Sequence, residues 1–370
     1  MVAVSAPYPS TSYANLASSM ASTTTASKST SSASTTSTST EPAATAITLS
    51  SAAQAAMAVK DFATVLSDTK AKLAALLKES GLTAPIKDGK VTVDLSSLDQ
   101  RELFAMASDD SFNADEQAAA GIEMQRRFEN ALSGPAGVAQ VTGNFTALYK
   151  AAATYLDSLG PEEKAGDDWI AGRAAITDGL NQLHTDPKTL PDTNEHDPVQ
   201  LYLALVNVGA AQQQQNISDV ADSARKSLDT LYADANAAGK APTFNKNTIV
   251  GTFIDMSAFP SRTLSAIALN TDDKFSTVEV YEAKVAMRAK SGAALLAGFQ
   301  DAAKSSDPTA FSQNIISLFS SLSAEERQAA GWSDQFYTAA VQSYQSTSKL
   351  TQMFAEAGGE STNFMSWMGK

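Results

Sequence analysis

Two stretches of this chain repeat one another, and a pattern written twice has to fold twice. Val93-Asp94-Leu95-Ser96-Ser97-Leu98 through Ala107 returns as Ile254-Asp255-Met256-Ser257-Ala258-Phe259 through Ala268. Asp94, Ser96, Arg101, Leu103, Ala105 and Ala107 recur as Asp255, Ser257, Arg262, Leu264, Ala266 and Ala268, an offset of 255 − 94 = 161. Further on, Phe112, Glu116, Met124, Leu132, Leu159, Glu162, Glu163 and Trp169 recur as Phe275, Glu279, Met287, Leu295, Leu322, Glu325, Glu326 and Trp332, all offset by 163. Leu73 and Leu76 match Leu228 and Leu231 at 155, and Ala84-Pro85 matches Ala241-Pro242 at 157. The offset grows where turn-forming residues mark loops, as expected if insertions fall outside packed helices.

The pattern predicts an all-α fold, a tandem duplication of a roughly five-helix unit. Residues 1–46 form a Ser/Thr/Ala tract with too little apolar surface to offset its chain entropy, and are expected to be a disordered tail. A helical unit is expected over 47–185, a Pro-rich linker over 186–197, a second unit over 198–357 and an apolar tail over 358–370. The first helix is read as starting at Ser51, capped with Gln54, and stopping at Gly81. Helices follow near 97–108, 113–133, 144–159 and 161–183, and one long helical pattern runs from about 198 to 236, with the Gln212–Gln215 run as the place where it would break. Hydrophobic residues make up 43% of the chain, but many are Ala, so the helices are expected to pack closely through small side chains.

The formal charge of −13 argues against nucleic acid and against an anionic membrane surface, since both require clustered Lys and Arg. Without cysteine there is neither a disulfide nor a thiolate metal site. No run reaches the ~18 apolar residues of a membrane span. The start Met1-Val2-Ala3-Val4-Ser5-Ala6-Pro7 has no basic flank or apolar stretch, so a cleaved leader is not expected. The compartment is left open between the cytoplasm and export by a route without a cleaved leader.

Several constellations invite a chemical reading. Phe112 with Glu116, and Phe275 with Glu279, have the spacing of the eighth and twelfth positions of a calcium loop, with Asp109 and Asp272 at the fifth. The first position would then be Ala105 or Ala268, and the sixth Asp110 or Asp273 where Gly is needed. Helix caps explain the same residues better: Asn113 with Glu116 and Ser276 with Glu279 form capping boxes, each preceded by a Phe staple. Glu162-Glu163 and Glu325-Glu326 read as first-turn carboxylates on the helix dipole, with Ser323 capping the second pair. Trp169 and Trp332 are read as anchors of the closing helices. His184 and His196 sit in the linker without metal-ligand spacing. No phosphate loop, nucleophile elbow or zinc-protease helix occurs.

Phe364, Met365, Trp367 and Met368 crowd the C-terminus after Gly358-Gly359. Exposed, they would anchor a partner's groove; packed back, they would close the second unit.

Asp94-Leu95-Ser96-Ser97-Leu98-Asp99-Gln100-Arg101-Glu102-Leu103-Phe104 and Phe112-Asn113-Ala114-Asp115-Glu116 resemble uncharacterised helical proteins of alphaproteobacteria, a resemblance that implies no activity or site. Ile47-Thr48-Leu49-Ser50-Ser51-Ala52-Ala53-Gln54 is similar to segments of flagellar-type exported proteins, which implies an export route or surface role. The expectation is a non-enzymatic interaction or structural protein with a protein partner, no cofactor and an open oligomeric state. It would bind through the cleft between units or the C-terminal cluster. The alternatives are a hydrolase with acidic residues in that cleft and a degenerate calcium module.

Overall fold

The computed structural model describes residues 60–87, 90–209 and 215–356. Those residues form thirteen α-helices and two pairs of two-residue strands. The expected tail 1–46, the start proposed at Ser51 and the C-terminal cluster lie outside the described residues.

The first half contains α1 (Phe62–Ser80), β1 (Ile86–Lys87), β2 (Lys90–Val91), α2 (Gln100–Ser108), α3 (Ala114–Thr142), α4 (Thr146–Ser158), α5 (Pro161–Lys164), α6 (Asp167–Thr185) and α7 (Pro198–Asn207). The second contains α8 (Ile217–Ala237), β3 (Pro242–Thr243), β4 (Thr252–Phe253), a short 3₁₀ turn (Met256–Ala258), α9 (Ser261–Leu269), α10 (Thr277–Lys304), α11 (Ala310–Ser321), α12 (Ala324–Ala330) and α13 (Asp334–Glu356). Strands β1 and β2 pair antiparallel, whereas β3 and β4 pair parallel.

Local chemistry sets most helix ends. Gly81 stops α1 in the left-handed region at φ 65°, its N–H reaching the carbonyls of Leu77 and Lys78. Capping boxes open α3 at Asn113/Glu116, α10 at Ser276/Glu279 and α12 at Ser323/Glu326, as the spacing predicts. A fourth, Asp99/Glu102, opens α2.

Several residues that recur in the sequence make similar contacts in the two halves. Asp94 accepts from the Ser96 N–H, and Asp255 from that of Ser257, both at 2.9 Å. Arg101 pairs with Glu162 and donates to the Lys60 carbonyl; Arg262 pairs with Glu325 and donates to the Gln215 carbonyl. Lys70 lies over the Phe112 ring, and Arg225 over Phe275. Trp169 donates from Nε1 to the Leu156 carbonyl, whereas Trp332 stacks on Phe319, the counterpart of Leu156 at the same offset. The two Trp residues differ in setting, since Trp169 lies in α6 and Trp332 in the turn before α13.

Four elements depart from the sequence pattern. The helix expected from Ser51 to Gly81 begins at Phe62, with Asp61 at its N-cap, and the one expected near 161–183 is divided into α5 and α6 at Ala165-Gly166. Ser133-Gly134-Pro135 predicts a stop near 133, yet α3 continues to Thr142 with Pro135 inside it. Its continuation is held by α11. A side chain on Gly134 would lie 2.7 Å from the Ser317 hydroxyl, and one on Gly137 would lie 2.0 Å from that of Ser320. Glycine lets the two backbones close to a distance that no larger residue permits, and this is the broadest helix–helix contact of the fold. The long pattern from 198 to 236 resolves into α7 and α8. Val199 and Tyr202 of α7 are buried with Leu148, Tyr149, Ile176 and Leu183, so α7 completes the core of the first half. Buried Asp197, in the segment expected to be a linker, caps α7 and accepts a 2.8 Å bond from the Tyr149 hydroxyl.

Candidate interaction surface

Helix α10 has two apolar faces. One, through Ala283, Ala286 and Met287, is buried in the core of the second half with Leu264, Ile267 and Leu228. Its start is fixed by the Ser276 box and by Glu279, whose buried carboxylate accepts from Arg225 at 2.8 Å and the Tyr232 hydroxyl at 2.7 Å. Burial pushes the Glu279 carboxyl up, but bonds from Tyr232, Ser276 and Arg225 outweigh it and hold the group below its ordinary value.

The opposite face carries Val278, Tyr281, Val285, Ala289, Gly292, Leu296, Phe299 and Ala303, all exposed. At 100° per residue these positions fall within an arc of about 80°, a continuous stripe. The five large side chains in it are 43% to 63% exposed. A helix of 28 residues is roughly 42 Å long, so a stripe about 10 Å wide presents some 400 Å². A patch of that size is as large as the largest on ordinary monomers, and such patches are often functional. Its middle is small: around Gly292 the space is open, with no atom within 4 Å of where a Cβ would stand. At one end Phe299 meets the exposed Phe311 of α11 edge-on at 5.5 Å. Leu350, Met353 and Phe354, near the end of α13, are also exposed.

A second feature is an open groove of about 650 Å³ in the second half, lined by Leu231, Phe253, Ile254 and Phe259 with Asp234 and Asp255, to which the first half contributes Glu79 at the end of α1. Lys226 on α8 reaches across to the Ser80 carbonyl at 2.6 Å. Bonds from the Ser257 side chain and N–H hold the Asp255 carboxyl below its ordinary value, which suits an anionic wall and not a proton donor.

The residues considered for chemistry are dispersed. Glu116 and Glu326 are bound to their helix caps, and Glu162 and Glu325 to Arg101 and Arg262. The Arg101 bond holds Glu162 below the ordinary carboxylate range, as Arg262 does for Glu325. Asp109 accepts from the Ser111 N–H, and Asp272 from the Ser218 hydroxyl. His184 lies exposed at the end of α6, and His196 is exposed beside Glu195. Among the described residues no group of three or more His, Asp or Glu is gathered to hold a metal, and no helix is long and apolar enough to cross a membrane. Phe364, Met365, Trp367 and Met368 lie outside the described residues.

No family model, curated protein or solved structure matches the chain.

Proposed function

We propose that this chain is a non-enzymatic protein-interaction module, built from two copies of one helical unit, that presents α10 to its partner. The observation that carries the reading is the exposed apolar stripe along the full length of that helix. Leaving such a surface in water forgoes burial worth ~25 cal/mol per Å², and an amphipathic face of this shape suits a helix or groove with anchors at i, i+3, i+4 and i+7. The repeated Arg–Glu pairs and caps serve to set the helices, which supports a reading in which function lies on the exposed surface and not in those repeated residues.

The test compares proteins cross-linked to the wild-type chain with those cross-linked to a Tyr281→Lys/Leu296→Lys variant of unchanged circular dichroism. Loss of a specific cross-linked protein, self included, supports the reading. An unchanged set removes α10 from it.

A further inference from the structure

We infer that residues 361–370 dock on the second half of their own chain, over Phe299 and Phe311, as α7 docks on the first. The inference rests on reading the chain as two copies of one unit and does not need α10 to bind a partner. Ala136 and Leu148 correspond to Phe299 and Phe311, since 299 − 136 = 311 − 148 = 163. In the first half Ala136 and Leu148 are 3% and 0% exposed, in one cluster with Val199 and Tyr202 of α7. Their counterparts are 56% and 40% exposed, and no described helix follows α13 to do what α7 does. Helix α3 does not stand in for it. Gly134 and Gly137 approach α11 at Ser317 and Ser320, which lie at least 120° around that helix from Phe311 at 100° per residue.

The chain beyond α13 carries what this patch requires. Asp197 caps α7, and Val199, Tyr202 and Leu203, at i, i+3 and i+4, pack into the first core. Thr362, followed by Phe364, Trp367 and Met368, repeats that spacing at an offset of 165, one step further in the series 155, 157, 161, 163. Threonine is a suitable N-cap. The sizes compensate. At an offset of 163, Ile176 and Leu183 of α6 become Ala339 and Ser346 of α13, while Val199 and Tyr202 give way to the larger Phe364 and Trp367.

The reach is sufficient. The Ser312 hydroxyl bonds that of Ser343 at 3.0 Å, which sets Phe311 near the level of Tyr344. From Glu356 back to that level is roughly 18 Å of helix, while the eight residues from Glu356 to Phe364 span up to ~26 Å. Gly358-Gly359 suits the reversal, and the exposed Leu350 and Phe354 continue the Ser343 face of α13 toward it. The first half makes its return along the closing helix as well: the Asp192 N–H donates to Gln182, and Pro198 lies against Gly172. The shorter return of the second half seats its segment nearer the end of α13. Because the segment is tethered, docking does not depend on protein concentration.

The test is tryptophan fluorescence of the full chain, with the emission of Trp367 isolated as the difference from a Trp367→Phe variant. Expected is a blue-shifted band that acrylamide quenches severalfold less than free tryptophan, unchanged from about 1 to about 100 µM protein. Phe311→Lys and Phe299→Lys, each at an exposed site and checked by circular dichroism, should red-shift that band and remove most of the protection. A wild-type Trp367 as accessible as free tryptophan overturns the inference. Protection that neither lysine reduces overturns the site, and protection lost on dilution gives the segment to a second copy instead. Cross-linking of the Tyr281→Lys/Leu296→Lys variant reads the α10 face, and the paired costs of Arg101→Met and Arg262→Met read the repeat. A free Trp367 therefore leaves both of those readings standing.

Discussion

Glu163 places a carboxylate where few groups receive it. In the second half Ser323 caps α12 and Glu326 closes the box, but in the first half Gly160 stands in the place of Ser323. Glu163 keeps a bond with Gln100, while its Oε2 is buried without a partner. Burial pushes the Glu163 carboxyl up from about 4.5 to about 7. Between those two values the folded chain holds a proton that the unfolded chain has released. Stability therefore falls as pH rises from about 4.5 and levels off above about 7. At ~1.4 kcal/mol per pH unit the ceiling is about 3 kcal/mol, and partial solvent access lowers the expected loss to roughly 2 kcal/mol. Glu163→Gln keeps the shape of the protonated acid and removes the titration. Urea unfolding of wild type and variant should give similar stabilities near pH 4 and a gap of roughly 2 kcal/mol in favour of the variant at pH 8. A gap that is the same at both pH values, or a variant less stable at pH 8, would refute the reasoning.

Gly137→Val should cost about 2–3 kcal/mol in urea unfolding by forcing α3 away from α11, and Ser320→Gly in the same chain should recover part of that loss; no recovery would mean that the strain lies elsewhere. Arg101→Met and Arg262→Met should each cost about 1–3 kcal/mol by calorimetry, of similar size because the two residues join the same elements in the two halves. A cost confined to one of them would show that the repeated contacts are not equivalent in energy.

What was legible in the sequence is what short stretches of chain decide. The capping boxes at Asn113, Ser276 and Ser323 involve residues three apart, so spacing alone reveals them. The box at Asp99/Glu102 carries the same three-residue signal. Pairing Arg101 with Glu162 required joining two facts already visible, since both residues recur in the second half at 161 and 163. The run of α3 through Pro135 was not legible, because Ser-Gly-Pro is a local stop signal and the contact that overrides it comes from α11, far along the chain. The stripe on α10 escaped for another reason. With apolar residues on both faces the periodicity blurs, and only tertiary packing decides which face is covered.

Helix α3 runs through three separate clusters: Met124 belongs with Leu103 and Phe112, Phe128 and Leu132 with Tyr149 and Ile176, and Val138 with Ile315 and Ile316. The third of these forms between residues 315 − 138 = 177 positions apart. During synthesis the first two clusters have all their members once α7 has emerged, whereas the last two turns of α3 must wait for α11. Until then a nascent chain carries a glycine-notched apolar face with nothing to close on it, and folding ends with a long-range docking step. The order of the chain thus gives α3 one of the last surfaces of the protein to be finished.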